Sequence, residues 1–295
     1  MRKFLLFLLH AFVFFEAGNS YSQTTGNPYF ESFTFSKAPS VEFGDDAFLT
    51  AKSAELNEEE GKGFLRLTAN AQKRKGYIYS TRAFPSKEGL TIQFEYFSYG
   101  GGAYGLGADG ITFFLFDATA SPFNIGGYGG SLGYAPFENS KIKSPGLSGG
   151  YLGIGLDEYG NFANPIEGRV GGIQGTPIRH NVTVRGSHLK NYNFITRKLT
   201  YEPQPGFVPF KIDGLAARVT DKFSDGYRRV TINLEPKKSG DKTIGYKLTI
   251  KVLIGGKTAA EQIEQEVINT DYDEVPPDLL QYGIASSTGD FAKVH

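Results

Sequence analysis

Three short stretches of this chain set acidic or amide groups beside glycine-rich backbone. The first is Gly105 to Asp117, GLGADGITFFLFD, in which a loop delivers Ala108-Asp109-Gly110 and the very apolar run Ile111 to Phe116 follows at once. The run reads as a buried strand, so the Asp109 carboxylate is held at a rigid sheet edge beside backbone that a ligand can approach closely. It reads as one wall of a sugar-binding site. The second stretch is Leu152 to Asn161, LGIGLDEYGN, where Asp157, Tyr159 and Asn161 alternate as a strand runs into a loop. Carboxylate, backbone carbonyl and amide oxygens so spaced can converge on a hard cation such as calcium. On spacing alone the favoured reading is an Asx-type turn, with Asp and Asn bonding local backbone. The third is Gly129-Gly130-Ser131-Leu132-Gly133, whose first two residues offer backbone amides. Paired sugar hydroxyls need planar polar groups, and the C–H face needs an aromatic ring. Asp109, Asn161, the Gly129–Gly130 amides, Tyr104 and Tyr128 can supply these if their loops meet.

Two familiar catalytic patterns are coincidences. Gly105-x-Gly107-x-x-Gly110 matches a dinucleotide fingerprint, but a strand, not a helix, follows it. Gly129-Gly130-Ser131-Leu132-Gly133 matches a nucleophile elbow, yet no helical pattern follows Gly133. Glycoside hydrolysis needs two carboxyls facing one bond. The segment nearest to the Glu-x-Asp-x-x-Glu of β-sandwich glucanases is Gly155-Leu156-Asp157-Glu158-Tyr159-Gly160, with glycine in place of the first glutamate. Asp271, Asp273 and Glu274 cluster beside Pro276 as a solvated turn would.

The elements that must position these residues are strands. Leu90 to Tyr99 opens with strict alternation: Leu90, Ile92, Phe94 and Tyr96 share one face, with Thr91, Gln93 and Glu95 on the other. Pro28 to Phe35, Ala47 to Ala51, Gly63 to Thr68 and Tyr77 to Phe84 read as further strands, as do Tyr151 to Leu156, Asn181 to Arg185 and Gln281 to Ser286. Tyr227 to Leu234 and Tyr246 to Leu253 form a hairpin across the polar stretch Pro236 to Asp241. Thr258 to Val267 is the one expected helix, with an edge strand fitting nearly as well. Phe291 to His295 reads as the opening of another strand, which implies more chain after His295. About a dozen strands at short spacing predict an all-β, two-sheet antiparallel sandwich.

Composition agrees. The 295 residues include 38 Gly, 25 Phe and 17 Tyr but no Trp, which suits many strands joined by tight turns. A formal net charge of zero gives no electrostatic case for nucleic acid or an anionic membrane. Arg2 and Lys3, the apolar run Phe4 to Phe15 and the small-residue site Ser20-Tyr21-Ser22 read as an export leader over residues 1–22, leaving one domain from Gln23 to His295. The apolar run is shorter than the ~20 residues of a membrane span. The chain has no Cys, so it holds no disulfide despite export.

Taken together, these stretches resemble the bacterial branch of the L-type (legume-like) lectins, within the concanavalin A-like superfamily. The resemblance runs through Gly107 to Leu115, Gly129 to Tyr134, Gly155 to Asn161 and Tyr282 to Gly289, in the family's order. It implies a jelly-roll sandwich and calcium-assisted binding of monosaccharide units. Asp109 matches the sugar-binding aspartate, which follows a cis peptide and accepts hydrogen bonds from two hydroxyls. Gly130, beside Gly129, matches the glycine whose N–H meets the sugar. Asn161 matches the asparagine that serves both sugar and calcium. Tyr159 would lend its carbonyl to the ion and its ring to the pyranose, and Asp157 its carboxylate to the ion. Gly289, Asp290 and Phe291 match the loop that selects the sugar. Two departures stand out. Gly155 replaces the glutamate that holds the family's transition metal, so no such metal is expected. The second calcium aspartate has Glu167 as its nearest counterpart, and His180 stands near the family's metal histidine but, without its partner glutamate, reads as a turn or core histidine. Three functions follow: a secreted or surface glycan-binding module without catalysis, a glycoside hydrolase on the same sandwich, or an adhesive sandwich whose site has decayed.

Overall fold

The computed structural model describes residues 28–101, 107–214, 217–289 and 293–295. The expected leader at 1–22, Tyr104, Asp290 and Phe291 lie outside the described residues. Residues 31–295 form one compact unit.

In chain order the first eight strands are β1 (Val41–Asp45), β2 (Phe48–Leu49), β3 (Leu65–Arg66), β4 (Lys75–Ser80), β5 (Phe84–Pro85), β6 (Leu90–Tyr96), β7 (Gly110–Asp117) and β8 (Phe137–Glu138). The next eight are β9 (Lys143–Ser144), β10 (Gly150–Asp157), β11 (Asn181–Arg185), β12 (Phe194–Leu199), β13 (Arg228–Ser239), β14 (Lys242–Ile254), β15 (Ile263–Tyr272) and β16 (Leu279–Ser287). The larger sheet runs β1-β4-β16-β7-β10-β11-β12, with β5 also on β16, and the smaller runs β15-β14-β13-β6. Neighbouring strands in both are antiparallel.

The main core lies between the two sheets. Ile111, Phe113 and Leu115 of β7 and Ile154 and Leu156 of β10 pack with Val230 and Ile232 of β13 and Leu248 and Ile250 of β14. Phe94 of β6 stacks on Phe113 across the layers, with ring centroids 5.9 Å apart. Each such side chain contributes roughly 1.5–3 kcal/mol by leaving water. A second apolar cluster joins the alternate β7 residues Phe114 and Phe116 to Leu132, Tyr134, Leu147 and Phe162, which come from loops. Strand β7 is thus covered on both faces, which is why Ile111 to Phe116 is an unbroken apolar run. Strand β6 has one covered face only, and its Thr91, Gln93 and Glu95 are exposed.

Three expectations change. Pro28 to Phe35 forms no strand; it is loop with bends. Thr258 to Val267 is not a helix: a short 3-10 turn, Ala259–Glu261, leads into the edge strand β15. The register against β14 slips between Ile250 and Lys251, so Val267 is an extra residue and both it and Ile268 are buried. That bulge breaks the alternation by which a strand is read. The hairpin of β13 and β14 is present, but its strands run on to Ser239 and from Lys242. Pro236 is accommodated there because β6 pairs with β13 only as far as Leu234, leaving one flank of β13 without a ladder partner beyond it.

Candidate functional site

Sheet register brings the sequence motifs together. Gly110 at the start of β7 lies opposite Asp157, the last residue of β10, and opposite Ser287, the last of β16. Asp109, the loop after Asp157 and the loop after Ser287 therefore leave the larger sheet at one edge. The backbone locks them. The Asp109 carbonyl accepts from the N–H groups of Glu158 (2.9 Å) and Tyr159 (3.2 Å), and the Asp109 N–H donates to the Ser287 carbonyl (2.7 Å). The Ala108–Asp109 peptide is cis.

Asp109 is buried, with 5% of its surface exposed. The Ser287 hydroxyl lies 3.4 Å from its Oδ2 and 3.2 Å from the Gly129 carbonyl, linking β16 to the Gly129–Ser131 turn. Gly289 sits beside the carboxylate: a Cβ there would stand 3.2 and 3.3 Å from its two oxygens. Gly130 is pressed against the third loop, since a Cβ on it would come within 2.4 Å of Asn161 Cβ. Gly129 has φ +62° and open space around its α-carbon. Asp109, Gly129, Gly130, Asn161 and Gly289 thus share one rim, with half-buried Tyr159 next to Asn161 in the chain. Of the residues expected to select the sugar, Gly289 alone is described. The Tyr159 ring lies 5.4 Å from the Arg179 guanidinium. Tyr128 is engaged elsewhere: its hydroxyl donates to Asp45, and the Lys75 ammonium is 4.6 Å from its ring centroid.

The two carboxylates among the expected calcium ligands are engaged by the protein itself. Asp157 is fully buried; its Oδ1 accepts the Gly160 N–H (2.7 Å) and its Oδ2 the Phe162 N–H (2.8 Å). This is the local backbone bonding of an Asx-type turn. Glu167 directs Oε2 to Arg169 Nη2 at 2.9 Å. Among the described residues no group of three or more His, Asp or Glu side chains is placed to hold a metal. The position of the missing glutamate is filled: a Cβ on Gly155 would meet the Phe162 ring at 2.4 Å. His180 turns instead to Asp213, with Nδ1 3.7 Å from Oδ1.

Burial pushes the Asp109 carboxyl up to about 7, and the nearby Asp157 charge adds to the shift. Burial likewise raises Asp157 to about 6, against the pull of its two amide hydrogen bonds. Glu158 points into a different setting. Its Oε1 meets His295 Nε2 at 2.9 Å and accepts from Ser98, while Lys293 pairs with Asp213 at 2.9 Å. Burial opposes the Glu158 charge, but His295 and Lys293 overcome it and hold the carboxyl at about 2.

Three residues of the site were not singled out from the sequence. Ser287 carries no signal beyond its place in Ser286-Ser287-Thr288. Arg185 could have been found: in Asn181 to Arg185 the polar positions alternate with Val182 and Val184, so a polar face was implied. Its buried guanidinium donates to the carbonyls of Phe162 (2.7 Å), Val170 (2.9 Å), Tyr192 (2.9 Å) and Asn164 (3.1 Å), fixing the loop after Asn161. Arg169 is the third. Its side chain has no exposed surface, and no pattern in Gly168-Arg169-Val170 says that it turns inward.

No protein-family model matches this chain, and no curated protein matches its sequence. Solved structures do. The exoplasmic/lumenal domain of VIP36 in its calcium- and mannose-bound form is similar with a TM-score of 0.51 and 14% identity, over 90% of this chain and 83% of that one. Winged bean acidic lectin complexed with methyl-α-D-galactose gives 0.51 and 13%, over 90% and 94%. The metal-free VIP36 domain gives 0.51 and 13%, over 88% and 83%. These likenesses establish the fold as the concanavalin A-like sandwich of L-type lectins.

Proposed function

We propose that this chain is an exported, non-catalytic carbohydrate-binding domain that takes single sugar units of glycans at the Asp109 rim. The observation that supports it is the meeting of Asp109, Gly129–Gly130, Asn161 and Gly289, from four separate segments, around one recessed carboxylate. An ionised Asp109 accepts from two adjacent hydroxyls, the Gly130 N–H and the Asn161 amide complete the polar contacts, and the Tyr159 ring offers the apolar face. Asp290 and Phe291, which follow Gly289 in the sequence, would help to choose among sugars. The lectins of similar fold were solved with mannose and with methyl-α-D-galactose, so those are the first sugars to try. A shallow site of this kind binds one sugar with a Kd near ~1 mM, and useful affinity comes from several copies.

Calcium-assisted binding, as the family resemblance implies, would draw on Asp157, Tyr159, Asn161 and Glu167. These residues do not present a ready donor set: the cation would have to displace the Gly160 and Phe162 amides and the Arg169 guanidinium. For hydrolysis, the second carboxyl would have to be Asp157 or Glu158. Both are fully buried and hydrogen-bonded inward, so neither reaches a glycosidic bond beside Asp109. Binding on a glycan array, followed by calorimetry with the best sugar, tests the proposal. Retention that disappears in Asp109→Ala supports it. No bound sugar, and no effect of Asp109→Ala, would leave an adhesive sandwich instead.

A further inference from the structure

The positive charge of the rim comes from the chain. Arg169 has a side chain with no exposed surface, and its guanidinium bridges two rim segments. Nη1 donates to Ser131 Oγ at 2.7 Å, in the turn that carries Gly129 and Gly130. Nε donates to the Asn164 carbonyl at 3.2 Å, at the end of the 3-10 turn that opens with Asn161, and Nη2 pairs with Glu167 at 2.9 Å. Nη2 is also 3.2 Å from where a Cβ on Gly130 would stand, as is Asn161 Cγ. Asp109 and Asp157 are close enough that their charges act on the same guanidinium. Arg169 thus pairs directly with Glu167 and feels the charges of Asp109 and Asp157, while the buried Arg185 is a second cation acting on Asp157. Carboxylates so grouped are unstable out of water without an opposite charge among them. A planar five-donor fork also fixes geometry in a way that a lone ammonium does not.

We infer that Arg169 performs the structural work of a bound divalent cation, tying the Gly130 turn to the Asn161–Glu167 loop so that this rim needs no calcium. The inference rests on reading the rim as a sugar site, but its calcium half can be measured alone. The purified chain, stripped with EDTA, is dialysed to equilibrium against radioactive calcium and melted with EDTA or millimolar calcium. It is also passed over mannose and galactose resins in both conditions. The expected result is less than one calcium per chain, an unchanged melting temperature and equal retention. One calcium per chain, or a melting temperature several degrees higher with calcium, overturns the inference.

Arg169→Gln keeps amide donors but removes the charge. It is expected to lose at least tenfold in retention and to melt higher when calcium is added, while Arg169→Lys recovers part of the retention. Full retention by Arg169→Gln without metal overturns the inference. If that variant does not fold, the wild-type dialysis and melting results decide. If the wild type is held by neither resin nor by a glycan array, the sugar-site reading fails, and the calcium measurements still decide the role of Arg169.

Discussion

The Asp157–Glu158 peptide divides two clusters of buried charge that solve the same problem differently. On one side Glu167 pairs with Arg169, the charges of Asp109 and Asp157 act on the same guanidinium, and both aspartates are pushed up toward neutral pH by burial. On the other side Glu158, Asp213, Lys293 and His295 are matched, and despite burial Glu158 is pulled down to about 2 by His295 and Lys293. Neighbouring residues thus carry opposite shifts. A buried carboxylate with enough cations around it is a fastening. One that is short of partners holds unfavourable energy that a ligand's hydroxyl donors can relieve, which accords with the proposal that sugar binds on the Asp109 side.

The sharpest way to break this contrast is to remove one partner from each cluster. Glu158→Gln leaves His295 without its carboxylate, Lys293 keeping Asp213, and is expected to cost about 3–5 kcal/mol in urea unfolding. A loss below about 1 kcal/mol would show that the second cluster is no fastening. Asp109→Asn should do the reverse. It removes a charge the fold disfavours, so stability at pH 8 rises by on the order of 1 kcal/mol, while retention on the best glycan falls at least tenfold. A variant both less stable and fully binding would refute the assignment of Asp109.

Acidity separates the clusters without mutation. The folded value for Asp109, about 7, is above the ordinary 3.8, so its stabilising contribution is complete below about 4 and is lost as pH rises through 7. Glu158 is the opposite case, with about 2 in the fold against 4.5: its contribution is present above 4.5 and is lost as pH falls toward 2. Sugar acceptance requires ionised Asp109, so retention should be about tenfold weaker at pH 6 than at pH 8. Calorimetric titration at several pH values checks this. A flat profile would mean that the carboxylate is not the acceptor.

The parts legible in the sequence were those set by local pattern. The alternation in Leu90 to Tyr96 and the unbroken run Ile111 to Phe116 announced a half-covered and a doubly covered strand. The motif order placed Asp109, Gly130, Asn161 and Gly289 in one family resemblance; the register of β7 against β10 and β16 brings the Asp109, Asn161 and Gly289 segments to one edge, and the Ser287 hydroxyl ties the Gly129–Gly130 turn to them. What stayed hidden depends on contacts between distant segments. The Val267 bulge needs β14 to define it, and the Phe162 ring over Gly155 is set by a loop folding back. Glu167, two residues before Arg169, would pair with a solvated arginine just as well; what turns the guanidinium inward is Ser131, which lies on another loop.

The gentlest perturbation of the comparison is Gly289→Ala. Its φ is not in the left-handed region, so alanine brings no backbone strain. The new methyl would stand 3.2 and 3.3 Å from the Asp109 oxygens, tight enough to require a shift of a few tenths of an ångström. The fold can make that adjustment, and the expected change in stability is within about 0.5 kcal/mol. A sugar hydroxyl approaching the same carboxylate has less room, because the methyl stands beside both acceptor oxygens. Retention is therefore expected to fall by roughly threefold, or about 0.7 kcal/mol, with a larger loss for whichever of the mannose and galactose resins places bulk on that side. Equal retention by the variant and the wild type on both resins would move the sugar away from the Gly289 side of Asp109 and toward Gly129.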